Sequence, residues 1–421
     1  MPHRARDWTS GFIVLGVFAG ILGSLLVAWQ YHIDTDPGII GLHFLALNAG
    51  YIAGAASSQR LLRRLAVRWT AVVSCLLGCA ALVTLALVPP PWPIEYRIGG
   101  LAVLGLATGG LGAALLHVLE PYFRNSPAWA MNVAGAMFGL GCAVATSTVA
   151  ATYFVFTSWI ARIALAGLPF TFAILFAKSR FPAARVPFPV RVEEERSRRA
   201  LADLRSIAAV LFSLLLFFQS GNEWVIAGWL PLFLIRRLGT NPIWAILALA
   251  LYFLALTAGR LVGRRLFPAV SHRRLLLGGT ALAMAGYLLL SLTTSMALAS
   301  VAVITIGAGF APIYPLLAET LDDRFSYHPG FYNGLFTIAI TGAMCVPWLI
   351  GYVDRFWGIR YLMLVPAFGS VVVLGLTLSL MFEAKLMGRR EQEPPPPQAP
   401  APPEPPSPPK AAAAAAAAGK R

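Results

Sequence analysis

Glu223 stands where an acid is least expected, inside the apolar stretch 207–234. It lies 18 residues after Arg205 and 13 before Arg236. At about 1.5 Å of rise per residue, a helix would carry it far from either charged end. A carboxyl in hydrocarbon costs about 2.5–3.5 kcal/mol on insertion scales, so such a group is a functional candidate by default. It can exchange a proton, hold a sodium ion, or hydrogen-bond a bound molecule. Gln219 lies one helical turn earlier on the same face, and Asn222 is adjacent. Gly221, Gly228 and Pro231 loosen this helix and open backbone groups to a ligand. Trp224, Trp229, Tyr314, Asn48 and Gln30 are the candidates to complete a site for a small polar ligand. Rings would cover its apolar face and amides would meet its polar groups. Each of these side chains also serves in packing, and a Trp or Tyr near a span end serves as an interfacial anchor.

A second constellation is built from charges near chain turns. His117 and Glu120 are i, i+3 on one helix, with Arg60, Arg63 and Arg64 at the end of another. Farther along, Glu319, Asp322 and Asp323 stand opposite Arg264 and Arg265. Such pairs could hold one end of the molecule shut; at about 0–1 kcal/mol each when exposed, they bias an equilibrium without locking it. Asn132 and Asn333, each one turn into its helix, are expected to bond across helices at this level. The same residues also read as ordinary charged ends. Metal and covalent chemistry find no support. The six histidines are scattered, no HExxH or GxSxG occurs, and Cys75, Cys79, Cys142 and Cys345 all sit in apolar runs. No enzyme activity, metal or cofactor is expected.

The elements that must position these residues follow from composition. Of 421 residues, 58% are hydrophobic and only 12% charged, against about 25% charged in a soluble domain. That leaves too little polar surface for a water-soluble globule. The net charge of +15 suggests nucleic acid at first, but the Lys and Arg cluster between long apolar runs. The chain therefore reads as an all-α membrane protein with the lipid bilayer as its solvent and no nucleic-acid partner. Apolar runs near 20 residues cross the hydrocarbon as helices, which satisfy their own backbone groups. Twelve such spans are predicted: 11–31, 38–58, 69–88, 98–119, 129–152, 158–177, 207–234, 243–262, 275–293, 298–318, 330–350 and 361–382.

Basic residues orient the spans. With the N-terminus inside, 27 Lys and Arg fall on the cytoplasmic side and 5 outside, leaving Arg162 within a span. Both termini are then cytoplasmic in a plasma membrane of bacterial inner-membrane type. Arg236 and Arg237 stand on the wrong side, and His43 and Arg162 are expected at the shallow outer interface. The predicted organisation is a six-helix bundle over 1–177, a cytoplasmic loop at 178–206, a second bundle over 207–384, and a disordered Pro- and Ala-rich tail at 385–421.

The two halves repeat at an offset of about 201 residues. Arg60-Leu61-Leu62-Arg63-Arg64-Leu65 matches Arg260-Leu261-Val262-Gly263-Arg264-Arg265-Leu266. Asn132 precedes Gly141 by nine residues, as Asn333 precedes Gly342. Gly20 matches Gly221, and Glu120 matches Glu319. Paired halves of this kind are the physical basis of alternating access around a midplane site. Glycine pairs at GxxxG spacing (Gly16/Gly20, Gly50/Gly54, Gly105/Gly109, Gly135/Gly139 and Gly259/Gly263) let the helices approach closely.

Twelve spans, a central loop and Arg-rich turns after spans 2 and 8 resemble the major facilitator superfamily. The stretch Gly54–Arg68 resembles its loop signature, although Arg63 stands at the usual Asp position. Gln219-Ser220-Gly221-Asn222-Glu223, Gly309-Phe310-Ala311-Pro312-Ile313-Tyr314-Pro315 and Phe138-Gly139-Leu140-Gly141 resemble the fucose-permease-like sugar symporters. The resemblance implies a monomeric carrier that moves a small-molecule solute, a sugar by this branch, with a proton or sodium. Members of that branch carry coupling acids in spans 1 and 4. Here span 1 has none and span 4 has only Glu120 at its end, so the proton chemistry of those members does not carry over; the coupling acid expected from its place within an apolar span is Glu223. Proton-driven export of amphipathic compounds is the alternative, favoured by an aromatic and aliphatic cavity, and a receptor role comes behind both.

Overall fold

The computed structural model describes residues 9–64, 66–123, 126–153, 158–179, 206–266, 270–324 and 329–392. The central loop, the start of the chain and the tail beyond Gln392 lie outside them. The described residues contain helices, turns and no strand. Eleven helices are long and apolar enough to cross a bilayer: Pro37–Leu62, Val67–Leu87, Ile94–Leu119, Trp129–Tyr153, Trp159–Lys178, Ile207–Leu238, Pro242–Gly263, His272–Leu292, Met296–Leu321, Thr337–Trp357 and Ile359–Glu383. Gly11–Gly20 and Leu22–Ala28, bent by 43° at their junction, are long and apolar enough together and bring the number to twelve when counted as one span, the first in the chain. Each falls on a predicted stretch. Large apolar side chains such as Phe170, Leu254, Val301 and Phe368 lie on the outside, a surface suited to lipid. The described residues to Leu380 form one compact unit. The protein is an all-α membrane protein.

The bend in the first span has a local cause. The Ser24 hydroxyl donates to the Ile21 carbonyl at 2.8 Å, a back-bond that bends helices. Beyond it, Gly23 lies so close to the Ala227 carbonyl of the seventh span that no Cβ would fit. Pro231, four residues later, has no N–H with which to engage that carbonyl.

Helix pairing repeats between the halves. The first span packs on the fifth as the seventh packs on the eleventh, and the second on the fourth as the eighth on the tenth. Across the halves, the fifth meets the eighth and the eleventh meets the second. The repeated glycines mark equivalent contacts. A Cβ on Gly141 would collide with the Ile13 carbonyl, and one on Gly342 with the Phe217 carbonyl. The two halves are therefore pseudo-symmetric in packing as well as in sequence.

Candidate functional site: a central cavity around Glu223

A cavity of about 190 Å³ lies among spans 1, 2, 4, 5, 7, 8, 10 and 11. Its polar side is formed by Ser220, Glu223 and Trp224 of the seventh span, Arg260 of the eighth and Tyr314 of the tenth. Phe12, Leu15, Leu116 and Phe138 form an apolar wall. Glu223 and Asn48 mark its deep end, and Phe12, Leu116 and Met131 mark the other. The cavity thus runs from mid-bundle toward the end where the first span begins and the fourth finishes.

Helical spacing places the polar side. Ser220, Glu223 and Trp224 are i, i+3 and i+4, one face of a helix, and all three line the cavity. Gln219 Nε2 donates to Glu223 Oε1 at 3.3 Å from behind, and its own Oε1 has no partner among the described residues. The Ser220 and Tyr314 hydroxyls bond each other. Arg260 is only 6% exposed. One of its terminal nitrogens donates to the Gly135 carbonyl of the fifth span at 2.6 Å. The guanidinium and the Glu223 carboxyl belong to the same cavity wall, yet no ion pair joins these two described side chains. Asn48 Nδ2 donates to the Phe44 carbonyl at 2.9 Å and lies 3.5 Å from that of Ala343. Pro347 cannot donate to the Ala343 carbonyl, so Asn48 supplies the missing partner.

Four of the residues expected at the site, Glu223, Trp224, Tyr314 and Asn48, meet in this cavity; four others do not reach its wall. Gln219 is fully buried behind Glu223. Asn222 faces away: its carbonyl accepts from the Tyr287 hydroxyl at 2.7 Å, and its side chain abuts Gly369. Trp229 is a packing residue, its indole N–H donating to the Pro347 carbonyl at 2.9 Å and its ring stacked on Phe44 with centroids 6.0 Å apart. Gln30 is exposed at the opposite end of the bundle, where its φ of 62° turns the chain. Arg260 is the cavity residue that sequence reading missed, giving it no role beyond its match to Arg60 in the repeat. Its position inside the predicted span 243–262 was the available signal.

The sequence profile of the Major Facilitator Superfamily matches residues 8–346. The chain belongs to the Major Facilitator Superfamily. Solved structures of the superfamily share its fold. The transporter FucP in the outward conformation is 17% identical with a TM-score of 0.65, covering 89% of this chain and 98% of that one. A variant of the E. coli fucose:proton symporter FucP gives 17%, 0.62, 89% and 98%. A variant of the nucleoside transporter NupG gives 12% identity, a TM-score of 0.69, and 90% and 99% coverage. No curated protein matches the sequence.

At the bundle end away from the cavity, a residue that looked misplaced bonds across the two halves. Arg236 pairs with Asp354 of the eleventh span at 3.0 Å. It also crosses to the first half, donating to the Tyr31 carbonyl at 2.9 Å, with the Thr35 and His32 carbonyls at 3.3 and 3.4 Å. Beneath it, Arg97 Nε donates to the Tyr31 hydroxyl at 2.9 Å, and that hydroxyl lies 3.3 Å from His43 Nε2. His32 is held below the usual histidine range, by burial first and then by the Arg236 charge. His43 and Arg162, expected near the outer interface, are buried inside the protein, and the Arg162 guanidinium has no hydrogen-bond partner among the described residues.

The gate expected at the other end is only partly described. Arg60 and His117 are exposed, and Glu319 lies 3.6 Å from His272, which the sequence reading had not paired with it. Asn132 is buried, with its Oδ1 unpartnered among the described residues. The side chains of Arg63, Arg64, Glu120, Arg264, Arg265, Asp322 and Asn333 lie outside the described residues.

Proposed function

We propose that the protein is a secondary active transporter that moves a small, partly polar solute by alternating access, with a proton on Glu223 as the coupling ion. The observation that carries this reading is an acid at the deep end of a cavity that lies between pseudo-symmetric halves. Arg236 closes the far end while the cavity extends toward the near end, the arrangement of a carrier in one of its two access states. The moving bodies are the bundles at 1–177 and 207–384 of a monomer, set in a bacterial-type inner membrane with both termini and the cavity mouth on the cytoplasmic side. A sugar is one solute with a polar and an apolar face, and the symporter FucP is described as carrying fucose with protons. The apolar wall of Phe12, Leu15, Leu116 and Phe138 favours a second reading, export of an amphipathic compound by the same machinery.

The test is uptake into proteoliposomes by full-length protein, with proton and sodium gradients imposed separately on a panel of sugars and small amphiphiles. A proton gradient is expected to drive accumulation and a sodium gradient is not. Accumulation driven by sodium alone, or solute binding with no transport under either gradient, overturns the proposal.

A further inference from the structure

The cavity holds one acid and, among the described residues, one permanent cation. Arg260 is 94% buried in a largely apolar surround. One terminal nitrogen is engaged by the Gly135 carbonyl, and Nε is buried with no partner among the described residues. A buried guanidinium without a direct counter-ion is costly. Glu223 lines the same cavity but does not pair with the guanidinium. Space next to a buried cation is a place for an anion, and the planar fork of Arg suits the two oxygens of a carboxylate. Several neighbouring polar groups are already engaged, which leaves Tyr51 and Trp224 as the residues of the cavity wall with a neutral donor to offer. The Ser220 and Tyr314 hydroxyls are bonded to each other, and the Asn48 amide nitrogen is engaged with backbone carbonyls.

We propose that the transported solute is a small monocarboxylate, held by Arg260 and carried together with the proton on Glu223. This rests on the transport reading above and narrows its solute class. Charge balance supplies the coupling. With Glu223 ionised, acid and base sum to zero and the empty carrier can reorient. With Glu223 protonated, Arg260 and the solute carboxylate sum to zero and the loaded carrier can reorient. A carboxylate bound beside an ionised Glu223 leaves an uncompensated negative charge in a low-dielectric site. Proton and anion therefore bind together. One cation facing an apolar wall suits a monoanion with an apolar or lightly hydroxylated body, and a dianion would leave its second charge unmatched. The other titratable groups around Glu223 are Tyr51, Tyr252, Tyr287, Tyr314 and Cys142. Their hydroxyls and thiol ordinarily ionise above neutral pH, which leaves Glu223 and Arg260 to set the charge.

The experiment is calorimetric titration of the full-length protein with lactate, butyrate, gluconate and benzoate. Lactamide, butyramide, benzamide and fucose serve as uncharged counterparts, across the acid to neutral range. At least one acid is expected to bind where its amide does not. Its Kd should rise about tenfold per pH unit once the site proton is lost, and should be flat with pH in Glu223→Gln. Arg260→Gln should weaken acid binding by about 10- to 100-fold, the size of a lost charged hydrogen bond, with Arg260→Lys in between. If an amide matches its acid, if none of the four acids binds, or if well-folded Arg260→Gln keeps wild-type affinity, the carboxylate assignment fails. If fucose alone binds, with a pH dependence that Glu223→Gln removes, the assignment fails and proton coupling stands. If no solute shows pH dependence and Glu223→Gln changes nothing, the transport reading itself falls.

Discussion

Arg236→Gln offers a quantitative test of how the far end stays shut. In the closed state Arg236 makes one cross-half hydrogen bond of good length, to the Tyr31 carbonyl at 2.9 Å, and two longer contacts at 3.3 and 3.4 Å. A hydrogen bond from a charged donor contributes about 1.5–3 kcal/mol. The side chain is 19% exposed, so screening takes only a modest share of that. Losing the bond should shift the closed-to-open ratio by about 10- to 150-fold. Asp354 is 5% exposed and loses its cation in this variant, which penalises the closed state further. Arg236→Gln/Asp354→Asn removes that extra term and should fall between wild type and the single variant. Spin labels at Ile33 and Phe356, exposed residues from the two halves, with the native cysteines replaced, report the separation by pulsed electron resonance. The distance distribution should move to longer separations in Arg236→Gln. An unchanged distribution refutes the assignment of Arg236 as the closing residue.

Other consequences are simpler. Gly342→Ala would place a Cβ on the Phe217 carbonyl and should destabilise the protein by about 1–3 kcal/mol or more; a thermal midpoint in detergent equal to wild type would contradict that contact. Asn48→Leu leaves the Ala343 carbonyl without its substitute donor and should cost about 1–3 kcal/mol in the same assay. His32 titrates lower in the closed state than its ordinary value, so protonation favours opening. The closure is at full strength above the ordinary histidine range and weakens as pH falls through it. The same spin-label distance should lengthen with acid in wild type and respond less in His32→Gln, and an equal response in both would rule His32 out.

The architecture was legible because hydrocarbon imposes a coarse rule. Each span needs a long apolar run, and eleven of the twelve predicted runs are single helices long and apolar enough to cross, the first being a bent pair. The repeat was legible where a glycine is required by backbone contact: Gly141 and Gly342 sit on equivalent carbonyls, and nothing larger fits either place. Glu223 stood out because an acid within an apolar run is rare. Faces were harder. Gln219, Asn222 and Trp229 share a span with Glu223, yet only packing decides which of its neighbours meet the cavity. Arg260 and Arg236 were hidden by their type. An arginine near a basic turn looks like a topology signal, and one on the outer side looks like an exception to it. Both act across the two halves, through the Gly135 and Tyr31 carbonyls. Side-chain spacing along a single helix gives no sign of a partner that is a backbone carbonyl more than 100 residues away.

The central claim is that the proton travels on Glu223. Its most direct test loads proteoliposomes with a pH-sensitive dye and imposes a gradient of any solute found to be transported. Wild type should move protons in step with the solute. With solute on both sides, Glu223→Gln should still exchange labelled solute while proton flux falls to the level of empty liposomes. Proton movement at the wild-type ratio in Glu223→Gln would contradict the account.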